Sequence, residues 1–240
     1  MKTSKLFGYE IYNSDFKDAI SEALSLMDGR KTSQIITVNP EMINLSFVNE
    51  NFAKLLNDAE LLLPDGIGIK LALMIMGQKS NRIAGVDFAY NLLQQCEKNS
   101  VPVAFVGTTE ETLNKAIAQI KTQMPDLKIV YTHNGFFENN EDIYEGLKNA
   151  APSLVLVALG SPKQEFFIAE AKNKLKNGLL IGVGGSFDVW SGEIKRAPVI
   201  FQKLGLEWLY RTVTQPKRLK RIFPALPLFL IKVLKERLGV

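Results

Sequence analysis

In 240 residues the chain has one cysteine, Cys96, and one histidine, His133. A single cysteine excludes an intramolecular disulfide and any cysteine-rich zinc site. A lone histidine is a poor basis for a Ser-His-Asp triad or a histidine metal cluster, so acid–base work falls to carboxylates. Two nucleotide signatures are missing: the phosphate loop ending in Gly-Lys-Ser/Thr, and the G-x-G-x-x-G turn with its downstream acid. No Asp-x-Asp pair occurs, which speaks against a metal-clamped nucleotide sugar. Residues 1–10 contain no apolar stretch of signal-peptide length, which predicts a chain that stays in the cytoplasm. No apolar run reaches the roughly twenty residues that span a bilayer, and there is neither a low-complexity tract nor an internal repeat.

What remains is the composition of a folded protein, 46% hydrophobic and 22% charged, long enough for one large domain with an appendage. The net charge of +4 is unevenly placed, with eleven Lys/Arg against two acids from Lys195 to Val240, or +9, and −5 on the rest. A mildly acidic body with a basic tail predicts that the tail meets phosphates of a nucleotide, a nucleic acid or a lipid headgroup. The bland alternative is a solvated basic helix.

Short apolar runs at Gln34–Asn39, Glu60–Pro64, Val101–Val106, Lys128–Thr132, Leu154–Leu159 and Leu179–Val183 alternate with segments of helical spacing. The latter include Pro40–Asp58, Asp87–Lys98, Glu110–Met124 and Pro162–Leu175. Near-continuous apolar strands between helices predict an α/β, Rossmann-like fold with a mainly parallel sheet covered on both faces, followed by a helical C-terminal appendage. The expected division is 1–194 for the core and 195–240 for the appendage. Ligands of such sheets bind outside the carboxyl ends of the strands, so the loops at Asn39, Asp65, Gly107, Gly160 and Gly184 are expected to line one site. In the tail, Gly205–Arg211 reads as a short amphipathic helix, followed by a basic cluster at Lys217–Arg221 and the apolar stretch Ile222–Ile231. That pairing predicts a helix lying in a membrane interface, with Phe223, Leu226, Leu228 and Phe229 inserting.

Five motifs carry candidate chemistry, and each has a plain structural reading beside it. Asn39-Pro40 suits an N-cap with proline at the first helical position, which leaves Thr37, on the same side of the strand, unexplained. Asp65 is either a turn aspartate or a carboxylate opening into the cleft, with Gly66 and Gly68 allowing close approach of a ligand. Arg82 suits a phosphate or a carboxylate partner, and Asp87 could cap the helix that follows. Ser161 to Gln164 has capping-box spacing, with Pro162 at the first position, and the same helix N-terminus would serve an anion, with Lys163 and Gln164 facing it. Gly182-Val-Gly-Gly-Ser-Phe-Asp188 is a glycine-rich strand exit.

Together, Thr37–Glu41, Leu63–Gly68, Arg82–Asp87, Gly160–Glu165, Gly182–Asp188, Lys195–Pro198 and Gly205–Arg211 resemble, in order, the WecG/TagA/CpsF glycosyltransferase family over about residues 35–221. The resemblance implies an inverting, metal-independent transferase with no cofactor. It implies a UDP-sugar donor, with N-acetylmannosamine or its uronic acid as the moiety moved to undecaprenyl-diphosphate-linked N-acetylglucosamine. Members act in wall teichoic acid and enterobacterial common antigen synthesis; others transfer glucose for capsule or exopolysaccharide. It further implies Asp65 as general base and Thr37, Asn39 and Gln164 as sugar and acceptor contacts. Gly184, Gly185 and Asp188 become nucleotide contacts; Gly66, Arg82, Asp87, Gly107 and Arg196 join the substrate site. Arg211, Arg218 and Arg221 match positions for the diphosphate, on an appendage that docks at the anionic inner face of the membrane. Self-association as a homo-oligomer is a further expectation. One departure is Phe136 in His133-Asn-Gly-Phe-Phe137, where members often have tyrosine, so no hydroxyl role carries over.

Two other classes compete. An NAD-dependent oxidoreductase needs the absent glycine turn and ribose acid. A non-catalytic nucleotide-binding module with nucleic acid on its tail could stack bases on Trp208 and Tyr210, but the apolar run suits lipid better, and nucleic acid is not an expected partner.

Overall fold

A computed structural model describes residues 2–203, 207, 209–210 and 219–239, with the backbone alone for 203 and 219–224. Six strands match the apolar runs: β3 (Thr32–Val38), β4 (Leu61–Pro64), β5 (Val103–Gly107), β6 (Ile129–His133), β7 (Leu154–Ala158) and β8 (Gly178–Gly182). They are preceded by β1 (Thr3–Leu6) and β2 (Tyr9–Tyr12), an antiparallel hairpin outside those runs. The strands form one eight-stranded sheet in the order β1-β2-β4-β3-β8-β7-β5-β6, mostly parallel, as expected of an α/β fold. Every residue of β5, β7 and β8 is buried, the mark of strands covered on both faces.

The chain divides into two compact units. One comprises Met1–Phe16, Thr37–Ala84 and Arg196–Val240; the other comprises Lys17–Ile36 and Gly85–Lys195.

In the second unit lie α1 (Phe16–Met27, apart from its first residue), α5 (Gly85–Lys98), α6 (Glu110–Gln123), α7 (Asn140–Ala150), α8 (Lys163–Lys172) and α9 (Ser186–Trp190). Thr109 and Asn139 cap α6 and α7 by accepting from Thr112 and Glu141 N–H groups. Ile143, Tyr144 and Leu147 of α7 and Phe167, Ile168 and Ala171 of α8 pack with Ala104, Val106, Val155, Val157 and Leu180 of the strands in one core cluster. Within it, the Tyr144 hydroxyl donates to Phe167 O (3.2 Å) and Glu170 Oε2 (2.9 Å), so the buried phenol is satisfied.

In the first unit, α2 (Pro40–Ser46) and α3 (Glu50–Asp58) replace the single helical stretch expected over Pro40–Asp58. Asn49 caps α3 through Phe52 N–H and so divides the stretch. Next come α4 (Gly66–Ile75), α10 (Val199–Lys203) and α11 (Leu219–Leu238). The helix α11 runs through Pro224 and Pro227 and buries Phe229 and Val233 while packing with α2 and α4. Its register is held by Asn44 Nδ2 donating to Ala225 O (2.9 Å) and Phe7 N–H donating to Glu236 Oε1 (2.8 Å). Phe7 and Gly8 both have positive φ (52° and 83°), the two-residue link that matches strand twist in a hairpin. The Phe7 ring stands edge-on to Phe47 at 4.9 Å.

Phe229 is therefore an exception to the expected membrane-inserting set: it is fully buried, and burial of such a ring is worth about 1.5–3 kcal/mol to the fold. Leu226 is also drawn inward, toward α4, where its Cδ1 lies 3.0 Å from the position a Cβ on Gly68 would take. Phe223 lies outside the residues whose side chains are described.

Candidate active site

In the first unit the carboxyl ends of β3 and β4 lie side by side, joined by Asp65 N–H donating to Val38 O (2.9 Å). Val38 is buried, while Thr37 and Asn39 are partly exposed, as strand alternation requires. Asn39 Oδ1 accepts from Met42 N–H (3.1 Å) with Pro40 at the start of α2, so the capping reading of Asn39 holds. Asp65 occupies the N-cap place of α4, yet its carboxylate makes no capping hydrogen bond. A carboxylate at a helix N-terminus is favoured by the helix dipole, and Gly66 at φ +80° makes the turn that puts it there.

Gly68 has a different reason from the one its motif suggests. A Cβ on it would lie 2.3 Å from Pro40 Cγ, so the missing side chain lets α4 meet α2 rather than a ligand. Ile83 N–H donates to Pro64 O (3.0 Å) and draws the Arg82 segment to the end of β4. The Arg82 guanidinium donates to Gln202 O (2.9 Å) and pairs with Glu207 Oε2 (3.1 Å); Arg196 pairs with Glu207 Oε1 (3.5 Å). Both basic candidates thus share one buried carboxylate from the Gly205–Arg211 motif. Such a triad holds the segment in place, because removing the acid would leave two partly buried charges uncompensated. Arg211 and Arg218 lie outside the described residues, as do Gly205 and Trp208; Arg221 is in α11 with its side chain outside them.

In the second unit the ends of β5, β7 and β8 bring together Gly107, Gly184, Gly185, Asp188 and Gln164. Gly107 (φ +129°) would place a Cβ 2.3 Å from Ala158 O, so close strand approach requires glycine there. Thr108 Oγ1 donates to Asp188 Oδ1 (3.3 Å), and Asp188 Oδ2 lies 3.1 Å from where a Cβ on Gly185 would be. Gly184 (φ +50°) has open space around its Cβ position. Asp87 sits within the first turn of α5, which begins at Gly85, and not at its cap. Phe136 is 77% exposed on the loop after β6, whose Gly135 N–H donates to Thr108 O (2.7 Å).

The expected Ser161 capping box does not form. Pro162 takes the N-cap place of α8, after a cis Ser161–Pro162 peptide, and no side chain caps the helix. Gln164 instead folds onto β8, its Oε1 accepting from Gly184 N–H (3.0 Å) and its Nε2 donating to Glu165 Oε1 (2.7 Å). Burial pushes the Glu165 carboxyl above the usual carboxylate range, against the hydrogen bonds from Gln164, Ser161 and its own backbone. Glu165 escapes the motif reading, though the spacing of Gln164, Phe167, Ile168 and Ala171 marks that face of α8 as buried.

Cys96 is no nucleophile, since burial pushes its thiol up to about 12. His133 Nδ1 is taken up by Asn134 O at 2.8 Å. No group of three or more His, Cys, Asp or Glu suited to a metal occurs among the described residues.

A family model described as "Glycosyl transferase WecG/TagA/CpsF family" matches residues 4–240. An N-acetylglucosaminyldiphosphoundecaprenol N-acetyl-beta-D-mannosaminyltransferase of Bacillus spizizenii is 32% identical over 238 residues, which cover 98% of this chain and 92% of that protein. The Bacillus subtilis protein of the same name is 31% identical over 238 residues, 98% of this chain and 93% of its own length. Its Staphylococcus aureus namesake is 28% identical over 235 residues, covering 97% and 92%.

Proposed function

The chain belongs to the WecG/TagA/CpsF glycosyltransferase family, and from that premise we propose that it moves an N-acetylmannosaminyl unit from UDP to undecaprenyl-diphosphate-linked N-acetylglucosamine. The observation that carries the mechanism is Asp65: a carboxylate at the end of β4, beside Thr37 and Asn39, that does not cap its own helix. An acceptor hydroxyl ionises far above neutral pH and needs a base at its proton, a role that contributes about 10²–10⁴-fold. Asp65 takes that proton as the acceptor oxygen bonds to the anomeric carbon and the bond from that carbon to UDP breaks. Inversion follows from this single displacement. Thr37, Asn39 and Gln164 contact sugar and acceptor, while Gly184, Gly185 and Asp188 hold the nucleotide. Gly66 and Asp87 complete the substrate site, while Gly107, Arg82 and Arg196 shape it through the chain itself. The charge gathering on UDP is met by Arg211, Arg218 and Arg221.

The same reading makes residues 195–240 the part that meets the membrane. Leu228, Ile231, Leu234 and Leu238 line an exposed side of α11, at three- and four-residue spacing, with Lys232, Lys235 and Arg237 among them. That is the pattern of a helix lying along an anionic bilayer. No helix among the described residues is long and apolar enough to cross one.

The test is a panel of UDP-sugars assayed, with EDTA present, against an undecaprenyl-diphosphate-N-acetylglucosamine analogue. UDP release and a lengthened lipid with UDP-N-acetylmannosamine support the proposal. Turnover only with UDP-glucose would move the protein to capsule-type transfer, and turnover only after magnesium or manganese is restored would end the metal-independent mechanism.

A further inference from the structure

The first turn of α8 buries two neighbouring polar side chains, Gln164 (5% exposed) and Glu165 (2% exposed). The first belongs to the transfer site just proposed; the second has no role in it. Their geometry links them. A backbone N–H donates only, so the bond from Gly184 N–H fixes which end of the Gln164 amide is oxygen and leaves Nε2 to donate to Glu165 Oε1. A flipped amide would set donor against donor at Gly184. The amide also lies flat on β8, where a Cβ on Gly182 would come within 2.4 Å of Nε2, so it cannot swing aside in that direction.

The arrangement is not one that stability alone would select. Glu165 Oε2 is buried with no hydrogen-bond partner, and an acid held this way costs the fold free energy. Gln34 Nε2 reaches the Glu165 backbone carbonyl at 3.5 Å. The carboxylate accepts from the Gln164 amide at 2.7 Å.

We propose that Glu165 is a positioning residue for the transfer, its buried carboxylate holding the Gln164 amide in one orientation so that the second Nε2 hydrogen and the Gly184 turn keep a set direction toward substrate. The inference rests on the reading of Gln164 as part of the transfer site.

The test compares Glu165→Leu, Glu165→Gln and Glu165→Asp in the full-length enzyme. Leu fills the space without an acceptor; Gln keeps both reach and acceptor; Asp keeps the charge but withdraws it by one methylene. Misplacement of a reacting group by about 1 Å can cost about 10²-fold, so the Leu and Asp proteins should lose roughly 10–100-fold in kcat with KM nearly unchanged. Glu165→Gln should stay within about threefold of the parent. The Leu protein should melt no lower than the parent, because a buried carboxylate with an unpartnered oxygen is gone. In a Gln164→Ala background, Glu165→Leu should cost nothing further in kcat, since it acts through the missing amide.

Parent-like turnover of the Leu protein alongside an impaired Gln164→Ala protein overturns the positioning role and leaves the site intact. A parent-like Gln164→Ala protein overturns the reading of the site, and this inference with it. Additive losses in the double variant, or Asp performing better than Gln, would also overturn it. The Asp and Gln pair decides even if the Leu protein fails to fold.

Discussion

Each unit ends a strand in a glycine turn with an aspartate nearby, and the two aspartates are held differently. Asp65 follows β4 directly, at the head of α4, with its backbone tied to Val38 and its carboxylate not used to cap the helix. Asp188 lies inside the short helix α9, accepts from the Thr108 hydroxyl and leans over Gly185. A base must reach a proton that leaves during the reaction, whereas a binding group is better fixed beforehand by its neighbours. Under the proposed function, Asp65 takes the proton and Asp188 holds the nucleotide.

Exchange of each carboxylate for its amide is the sharpest way to break that comparison. Asp65→Asn keeps shape and removes the base, so kcat should fall roughly 10²–10⁴-fold in a protein of unchanged melting temperature. Near-parent turnover in the folded variant would remove Asp65 from the mechanism. Asp188→Asn should chiefly raise the donor KM, by about tenfold for the loss of one charge-assisted contact of roughly 1.4 kcal/mol. If the two variants exchange phenotypes, the assignment of roles is reversed.

The contrast in glycines gives a smaller effect. Gly66 and Gly107 both have positive φ, but only Gly107 is pressed against backbone, its Cβ position 2.3 Å from Ala158 O. Gly66→Ala should cost about 1–2 kcal/mol, the penalty of a side chain in the left-handed region. Gly107→Ala should cost more, because about 1–3 kcal/mol of backbone strain adds to a collision that only movement of β7 relieves. Urea unfolding measures both; equal losses would mean that the β5–β7 approach is softer than its geometry.

How much of this was legible in the sequence follows the same division. β4, β5, β7 and β8 announced themselves because strands buried throughout have almost only apolar residues to show, whereas β3 and the half-exposed β6 were legible from their β-branched residues. The β1–β2 hairpin gave no such signal, since four-residue strands such as Thr3–Leu6 mix exposed and buried positions. The helix α4 was hidden for the opposite reason: Gly66–Ile75 is apolar nearly throughout and has no polar face to reveal a period. Asp65 could be found from its place after an apolar run. What no spacing reveals is which groups meet over long separations. Arg82 faces Glu207 from 125 positions away, and Gln164 reaches Gly184 across a whole strand. Nor does a glycine disclose whether it makes room for a ligand, as Gly184 could, or for the chain itself, as Gly68 and Gly107 do.

On α11 two sides of one helix can be set against each other, and the smallest effect on turnover is expected there. Phe229 and Val233 are buried with the body, whereas Ile231 and Leu234 are 51% and 47% exposed. Lys232, whose ammonium stands 4.0 Å from the Phe47 ring centre, flanks the exposed side together with Lys235. If that side meets the bilayer, each half-exposed aliphatic adds about 1 kcal/mol on insertion, a fraction of its full burial value. Ile231→Ser combined with Leu234→Ser should then reduce pelleting with anionic vesicles by roughly 10-fold or more. The same pair should leave unfolding free energy within about 0.5 kcal/mol of the parent, because neither side chain contributes to the core. Phe229→Ala should do the reverse, lowering stability by about 3–5 kcal/mol through the cavity it leaves. Raising salt should weaken vesicle binding of the parent and of the double variant alike, since the lysines remain. Unchanged pelleting of the double variant would show that α11 presents its apolar side to something other than lipid.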